Sequence, residues 1–108
     1  MSTDVELLSL AAKAIGYRVK NSITNHRDEF IGIRVKADGK PSLSWNPLTD
    51  DGDALRLAGE LLLSVSIDSG YTVVIDQRER TTYETAHGLV ATRRAIVRAA
   101  AEIGRAMP

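Results

Sequence analysis

At 108 residues, with 44% hydrophobic and 26% charged side chains, the chain has the size and balance of one globular domain, enough for a single core without disulfides or a structural metal. Fourteen Lys and Arg against fourteen Asp and Glu leave no net charge, so no global field draws the molecule to nucleic acid or to an anionic membrane. The absence of cysteine excludes disulfides, thiolate metal sites and thiol catalysis.

No run approaches the ~20 apolar residues of a membrane span. The first residues lack the basic-then-apolar pattern of a signal peptide, so a cytoplasmic protein is expected. No internal repeat, low-complexity tract or Pro/Gly/Ser-rich linker divides the chain, and residues 1–108 read as a single domain.

The first element is a helix over about Asp4 to Ile15. Thr3 and Glu6 fit a capping box, Leu7, Leu8, Ala11, Ala14 and Ile15 form an apolar stripe, and Gly16 suits the position after the C-cap. Two strands follow. Tyr17–Ile23 places Tyr17, Val19 and Ile23 on one face, with Arg18 and Lys20 opposite. Phe30–Lys36 places Ile31, Ile33 and Val35 together, with Arg34 and Lys36 turned away. The polar loop from Thr24 to Asp28 joins them as a hairpin, and Asp38-Gly39 signals a turn. A short strand from Ser42 to Trp45 should lie at an edge, because Pro41 removes a ladder donor.

A second helix begins near Thr49 or Asp50, where Asp50, Asp51 and Asp53 complement the helix dipole. Its buried stripe is read as Ala54, Leu55, Ala58, Leu61 and Leu62, and Gly59 inside it implies a close contact. Val65 and Ile67 lie in a fourth strand. Asp68-Ser69-Gly70 makes a turn, and Tyr71, Val73 and Ile75 alternate in a fifth strand with a polar opposite face. Gln77 to Arg80 is a charged turn, and Thr81 to Thr85 is either a further strand or loop. The last helix, Gly88 to Ala106, carries Leu89, Thr92, Ile96, Ala100, Ile103 and Met107 on one face and Arg94, Arg98, Glu102 and Arg105 on another, with Arg98 and Glu102 spaced to pair. The expected fold class is α+β: one mainly antiparallel sheet of four to five strands packed with three helices, in the order α-β-β-(β)-α-β-β-α.

Two segments carry a resemblance. Trp45-Asn46-Pro47-Leu48-Thr49-Asp50-Asp51-Gly52-Asp53-Ala54-Leu55-Arg56-Leu57-Ala58 is one, and Ala91-Thr92-Arg93-Arg94-Ala95-Ile96-Val97-Arg98-Ala99-Ala100-Ala101-Glu102-Ile103-Gly104 is the other. With the Leu/Ala-rich first helix, they make the chain resemble the phage ABA sandwich domain family, small proteins of phages and prophages. The likeness takes in roughly half the residues directly, and most of the chain in the order of its elements. It implies a phage or prophage origin, hence the cytoplasm of a bacterial host, and a sheet layered with helices. It brings no activity and no catalytic residues. Glu60-Leu61-Leu62-Leu63-Ser64-Val65 departs from the Gly and acidic residues often found there in relatives, which makes this middle segment a candidate for partner specificity.

Each candidate site has a structural counter-reading. Asp50, Asp51 and Asp53 with Gly52 resemble a calcium loop only loosely, since the twelfth position from Asp50 is Leu61; helix capping explains them better. Arg93, Arg94, Arg98 and Arg105 present guanidinium forks suited to phosphate, or else a face paired within the fold by the acidic second helix. His26 and His87 have no further ligands at metal spacing and no nucleophile with an orienting group. Trp45 is either a binding anchor or a core plug. Gly32 and Gly39 match no nucleotide fingerprint.

The leading expectation is a non-enzymatic accessory protein that binds another protein, from host or phage, or a second copy of itself as a homodimer. The loop around His26, the outer face with Arg18, Lys20 and Arg34, and Trp45 are its candidate contacts. The alternative is nucleic-acid binding by Arg94, Arg98 and Arg105. An enzyme built on Asp68, Asp76 or Glu84 ranks last. No cofactor, metal or membrane partner is expected.

Overall fold

The computed structural model describes residues 3–86 and 88–108. Among the described residues nine elements follow in chain order: α1 (Asp4–Ala14), β1 (Arg18–Thr24), β2 (Phe30–Lys36), β3 (Leu43–Trp45), α2 (Asp51–Glu60), β4 (Ser64–Asp68), β5 (Tyr71–Ile75), β6 (Thr81–Glu84) and α3 (Gly88–Ala106). The α+β class and the three helices stand as expected. The strands, however, form two antiparallel three-stranded sheets, β1-β2-β3 and β4-β5-β6, rather than one sheet of four to five strands. The sixth strand is the segment that sequence left between strand and loop: Thr81 pairs with Ile75 and Glu84 with Thr72.

The helices make one core of the two sheets. α1 packs on β1 and β2, α3 packs on β4, β5 and β6, and α1 and α3 pack on each other. The two helices run parallel: Arg94 meets Asp4, and the Lys13 ammonium donates to the Met107 carbonyl at 2.9 Å. Their closest approach is at Gly104, where an added Cβ would overlap the carbonyl oxygen of Leu10. The alanine-rich sequence of α3 serves this crossing, since Ala95, Ala99, Ala100 and Ala101 are buried and let neighbouring elements come close.

Helix ends follow their sequence signals. Thr3 accepts from the Glu6 amide, and Asp50 from the Asp53 amide. Both α1 and α2 close with the same pair of reverse hydrogen bonds, Gly16 N to Lys13 O and Tyr17 N to Ala12 O in one, Leu62 N to Gly59 O and Leu63 N to Ala58 O in the other. The residue after the C-cap must be left-handed there. Gly16 does this at φ +81°, whereas the second helix holds a leucine, Leu62, at φ +53°. Gly59 is not a packing site: nothing lies within 4 Å of the Cβ it lacks.

Several buried faces differ from the alternation. In β5 the inward residues are Thr72 and Val74, while Tyr71, Val73 and Ile75 face outward. Thr72 is tolerated inside because its hydroxyl bonds Thr92, and Tyr71 stacks on Tyr83 across the outer face at 5.3 Å. In α2 the buried residues are Ala54, Leu57 and Ala58, so Leu55 and Leu62, assigned to that stripe by sequence, are exposed instead. Leu89 of α3 and Met107, just past its end, lie outside the core. Sheet β1-β2-β3 keeps Ile33 and Val35 inside and Arg34 outside, but Ile31 is half exposed.

One five-residue turn is built twice. Asn25 accepts from the amides of Arg27 and Glu29, and Asp76 accepts from those of Arg78 and Arg80. In each, the fourth residue is left-handed, Asp28 at φ 60° and Glu79 at φ 63°. Among the described residues, no helix is long and apolar enough to cross a membrane.

Candidate functional site

The residues singled out on the first sheet lie along the β1–β2 ladder, in its turn and in the core. Arg18 stands at one end of the β1–β2 ladder, opposite Lys36, and pairs with Asp38 at 2.6 Å. Lys20 falls at a register shift between Val19 and Asn21, and Arg34 is exposed between Asn21 and Ser44. His26 is exposed in the turn at the far end of the ladder. Trp45 is a core residue, 4% exposed, with its ring edge-on to Tyr17 at 5.8 Å. Its indole therefore offers a partner almost no surface, and the anchor reading is corrected to a core plug. His87 lies outside the described residues.

The turn before α2 is structural. Asn46 organises it: its side chain donates to the Ile31 carbonyl at 2.9 Å and accepts from the Leu48 amide at 3.0 Å, and its own amide donates to Asp53. Asp50 caps the helix, Asp53 takes Arg56, and Asp51 takes Arg93, so each carboxylate of the acidic cluster has a role within the fold.

Arg94, Arg98 and Arg105 do converge. With Leu7, Tyr83 and Glu102 they line a hollow of about 590 Å³ between α3 and β6. Each is engaged by a carboxylate: Arg94 by Asp4 at 3.1 Å, Arg98 by Glu84 at 2.7 Å, and Arg105 by Glu102 at 3.4 Å. The Arg98–Glu102 pair expected from spacing is replaced by Arg98–Glu84 and Arg105–Glu102, because β6 brings Glu84 to Arg98. Arg93 is held hardest, by Asp51 at 2.6 Å and the Leu48 carbonyl at 2.8 Å.

The carboxylates considered for catalysis are apart and occupied. Asp68 is exposed and accepts from the Tyr71 hydroxyl at 3.1 Å, which raises the tyrosine pKa. Asp76 is buried, which pushes its pKa up, but the amides of Arg80 and Arg78 and the Arg80 guanidinium outweigh this and hold it below the usual carboxylate value. A depressed carboxylate tied into a turn is poorly placed to act as a general acid. Among the described residues, no group of three His, Cys, Asp or Glu is placed to hold a metal ion.

An apolar groove of about 320 Å³ is the feature that sequence missed. Its walls are Leu55 and Ala58 of α2 and Val65 and Ile67 of β4; its floor is Leu89, Thr92 and Ile96 of α3. Leu55 is 73% exposed, Ile67 60% and Leu89 53%. The Asp51–Arg93 pair stands at its rim. A signal was present: Ala54, Leu57, Ala58 and Leu61 already complete a helical stripe, which leaves Leu55 on another side. No family model, curated protein or solved structure matches the chain.

Proposed function

We propose that the protein is a non-enzymatic binding module of a phage or prophage, acting in the host cytoplasm by docking another protein. The observation that carries this reading is the groove between α2, β4 and α3: three large aliphatic side chains more than half exposed around a mostly apolar trough. Contiguous apolar surface of this kind marks interaction sites on small soluble domains. The engaged carboxylates support a non-catalytic role, and the phage origin rests on the two sequence segments at 45–58 and 91–104.

The test uses the tagged protein as bait in nuclease-treated bacterial lysate, beside Leu55→Glu. Protein capture by the wild type that Leu55→Glu loses supports the reading. Identical capture by both removes the groove from the account.

Nucleic-acid binding keeps one observation in its favour, the convergence of Arg94, Arg98 and Arg105 on one hollow. Phosphate would have to displace Asp4, Glu84 and Glu102 from them. Titration of labelled single- and double-stranded DNA and RNA at low salt tests it; binding that falls steeply with salt and weakens in Arg98→Ala would favour this reading.

A further inference from the structure

We infer that the groove is closed by a second copy of this chain, through antiparallel pairing of β4 with its counterpart about a two-fold axis at Ser66. This rests on the protein-binding reading and names its partner.

The two sheets have four edges, β1, β3, β4 and β6. An edge strand is a template for another strand unless something blunts it. β1 carries Arg18 and Lys20 and two register shifts. β3 is three residues long and follows Pro41. β6 is four residues long, and Arg98 donates to the Tyr83 carbonyl at 2.9 Å. β4, Ser-Val-Ser-Ile-Asp, pairs with β5 in unbroken register and has no Lys, Pro or bulge.

The connection to β5 is two residues, Ser69 and Gly70, which makes Asp68 and Tyr71 a hydrogen-bonded pair. By alternation Ser66 and Ser64 also turn their backbone groups to β5. The amides and carbonyls of Val65 and Ile67 therefore point to the open edge.

The β4 edge is self-complementary. A two-fold axis at Ser66 sets Val65 opposite the partner's Ile67, so the two edge-facing residues exchange hydrogen bonds on both sides of the axis. Asp68 falls opposite the partner's Ser64, so no like charges meet. Val65 and Ile67 share the groove with Leu55, so the same approach covers the exposed leucine beside the new strand pair. A standard interface takes about 800 Å² per partner, roughly an eighth of this molecule's 6562 Å².

The experiment combines sedimentation of the 108-residue chain with a cysteine scan, which the cysteine-free sequence permits. The axis places Ser66 opposite the partner's Ser66 as a non-hydrogen-bonded pair, about 4.5 Å between Cα atoms, within disulfide reach. Under a copper–phenanthroline oxidant, Ser66→Cys should form a disulfide dimer at least about tenfold faster than Ser44→Cys on the β3 edge. The wild type should show a concentration-dependent dimer, and Ile67→Lys, at a side chain already exposed, should weaken it by at least about tenfold with an unchanged circular dichroism spectrum. A dimer that persists unchanged in Ile67→Lys, or equal cross-linking at 44 and 66, overturns the proposal. So does a strict monomer up to about 1 mM: if Leu55→Glu still abolishes capture of another protein, only the homodimer fails, and if it does not, the binding-module reading fails as well.

Discussion

Thr72 and Thr92 meet hydroxyl to hydroxyl at 2.9 Å in the core, tying β5 to α3 directly beneath the apolar groove. Neither side chain has water to turn to, as Thr72 is 1% and Thr92 6% exposed. Removing one hydroxyl strands the other, at about 1–3 kcal/mol. Thr72→Val is therefore expected to lower stability by that amount in urea denaturation, and Thr72→Val/Thr92→Val together by less than the sum of the two single changes. Additive losses would show that the pair is not coupled.

Gly104 sets the distance between α1 and α3. Its missing Cβ points at the Leu10 carbonyl, which is backbone and has no rotamer to move. Gly104→Ala should cost at least about 2 kcal/mol through forced separation of the helices, despite the better helix propensity of alanine. Thermal melting checks it; an unchanged or raised Tm would contradict this packing.

Gly59 and Leu62 are expected to respond in the opposite sense. The space at Gly59 is open, so Gly59→Ala should gain about 0.5–1 kcal/mol from helix propensity alone. Leu62 is left-handed and 67% exposed, and Leu62→Gly should relieve about 1 kcal/mol of backbone strain. At this chain length each corresponds to a rise in Tm of about 4–8 °C per kcal/mol. A fall in Tm for either variant would show a packing role for that residue.

Much of the fold was legible because its signals are local. The Thr3 and Asp50 caps and the Gly16 stop each act within a few residues and stand where the sequence placed them, and the α3 stripe holds at Thr92, Ile96 and Ala100. The inversion of β5 was not legible, because Thr72 becomes an inward residue only when a residue twenty positions away supplies its hydrogen bond. The division into two sheets was hidden for the same reason: strand patterns predict pairing between neighbours but not where a sheet stops. The groove was legible only at Leu55, which the stripe of Ala54, Leu57, Ala58 and Leu61 leaves on another side; Ile67 and Leu89 look like core residues in any window around them. Among the described residues nothing covers them. Trp45 erred the other way, an aromatic with interface chemistry that the fold encloses.

Asp76 makes stability depend on acid. Its folded pKa lies below the ordinary value of 3.8, so the unfolded chain takes up the proton more readily. The contribution is complete above the ordinary value and disappears as pH falls through the lower folded value. Asp76→Asn should flatten the stability profile below about pH 4 and leave its slope near neutrality unchanged. Parallel acid profiles for the two proteins would show that the Arg80 and Arg78 contacts do not favour the carboxylate.

The open edge of β4 is the centre of the account, and amide hydrogen exchange at Val65 and Ile67 reads it directly. Their amides point away from β5, so they should exchange fast in dilute protein, while the Ser66 amide between them stays protected. Raising the protein concentration should slow Val65 and Ile67 together and leave the exposed loop around His26 unchanged. Fast exchange at both positions at every concentration, with the sheet intact, would contradict the account.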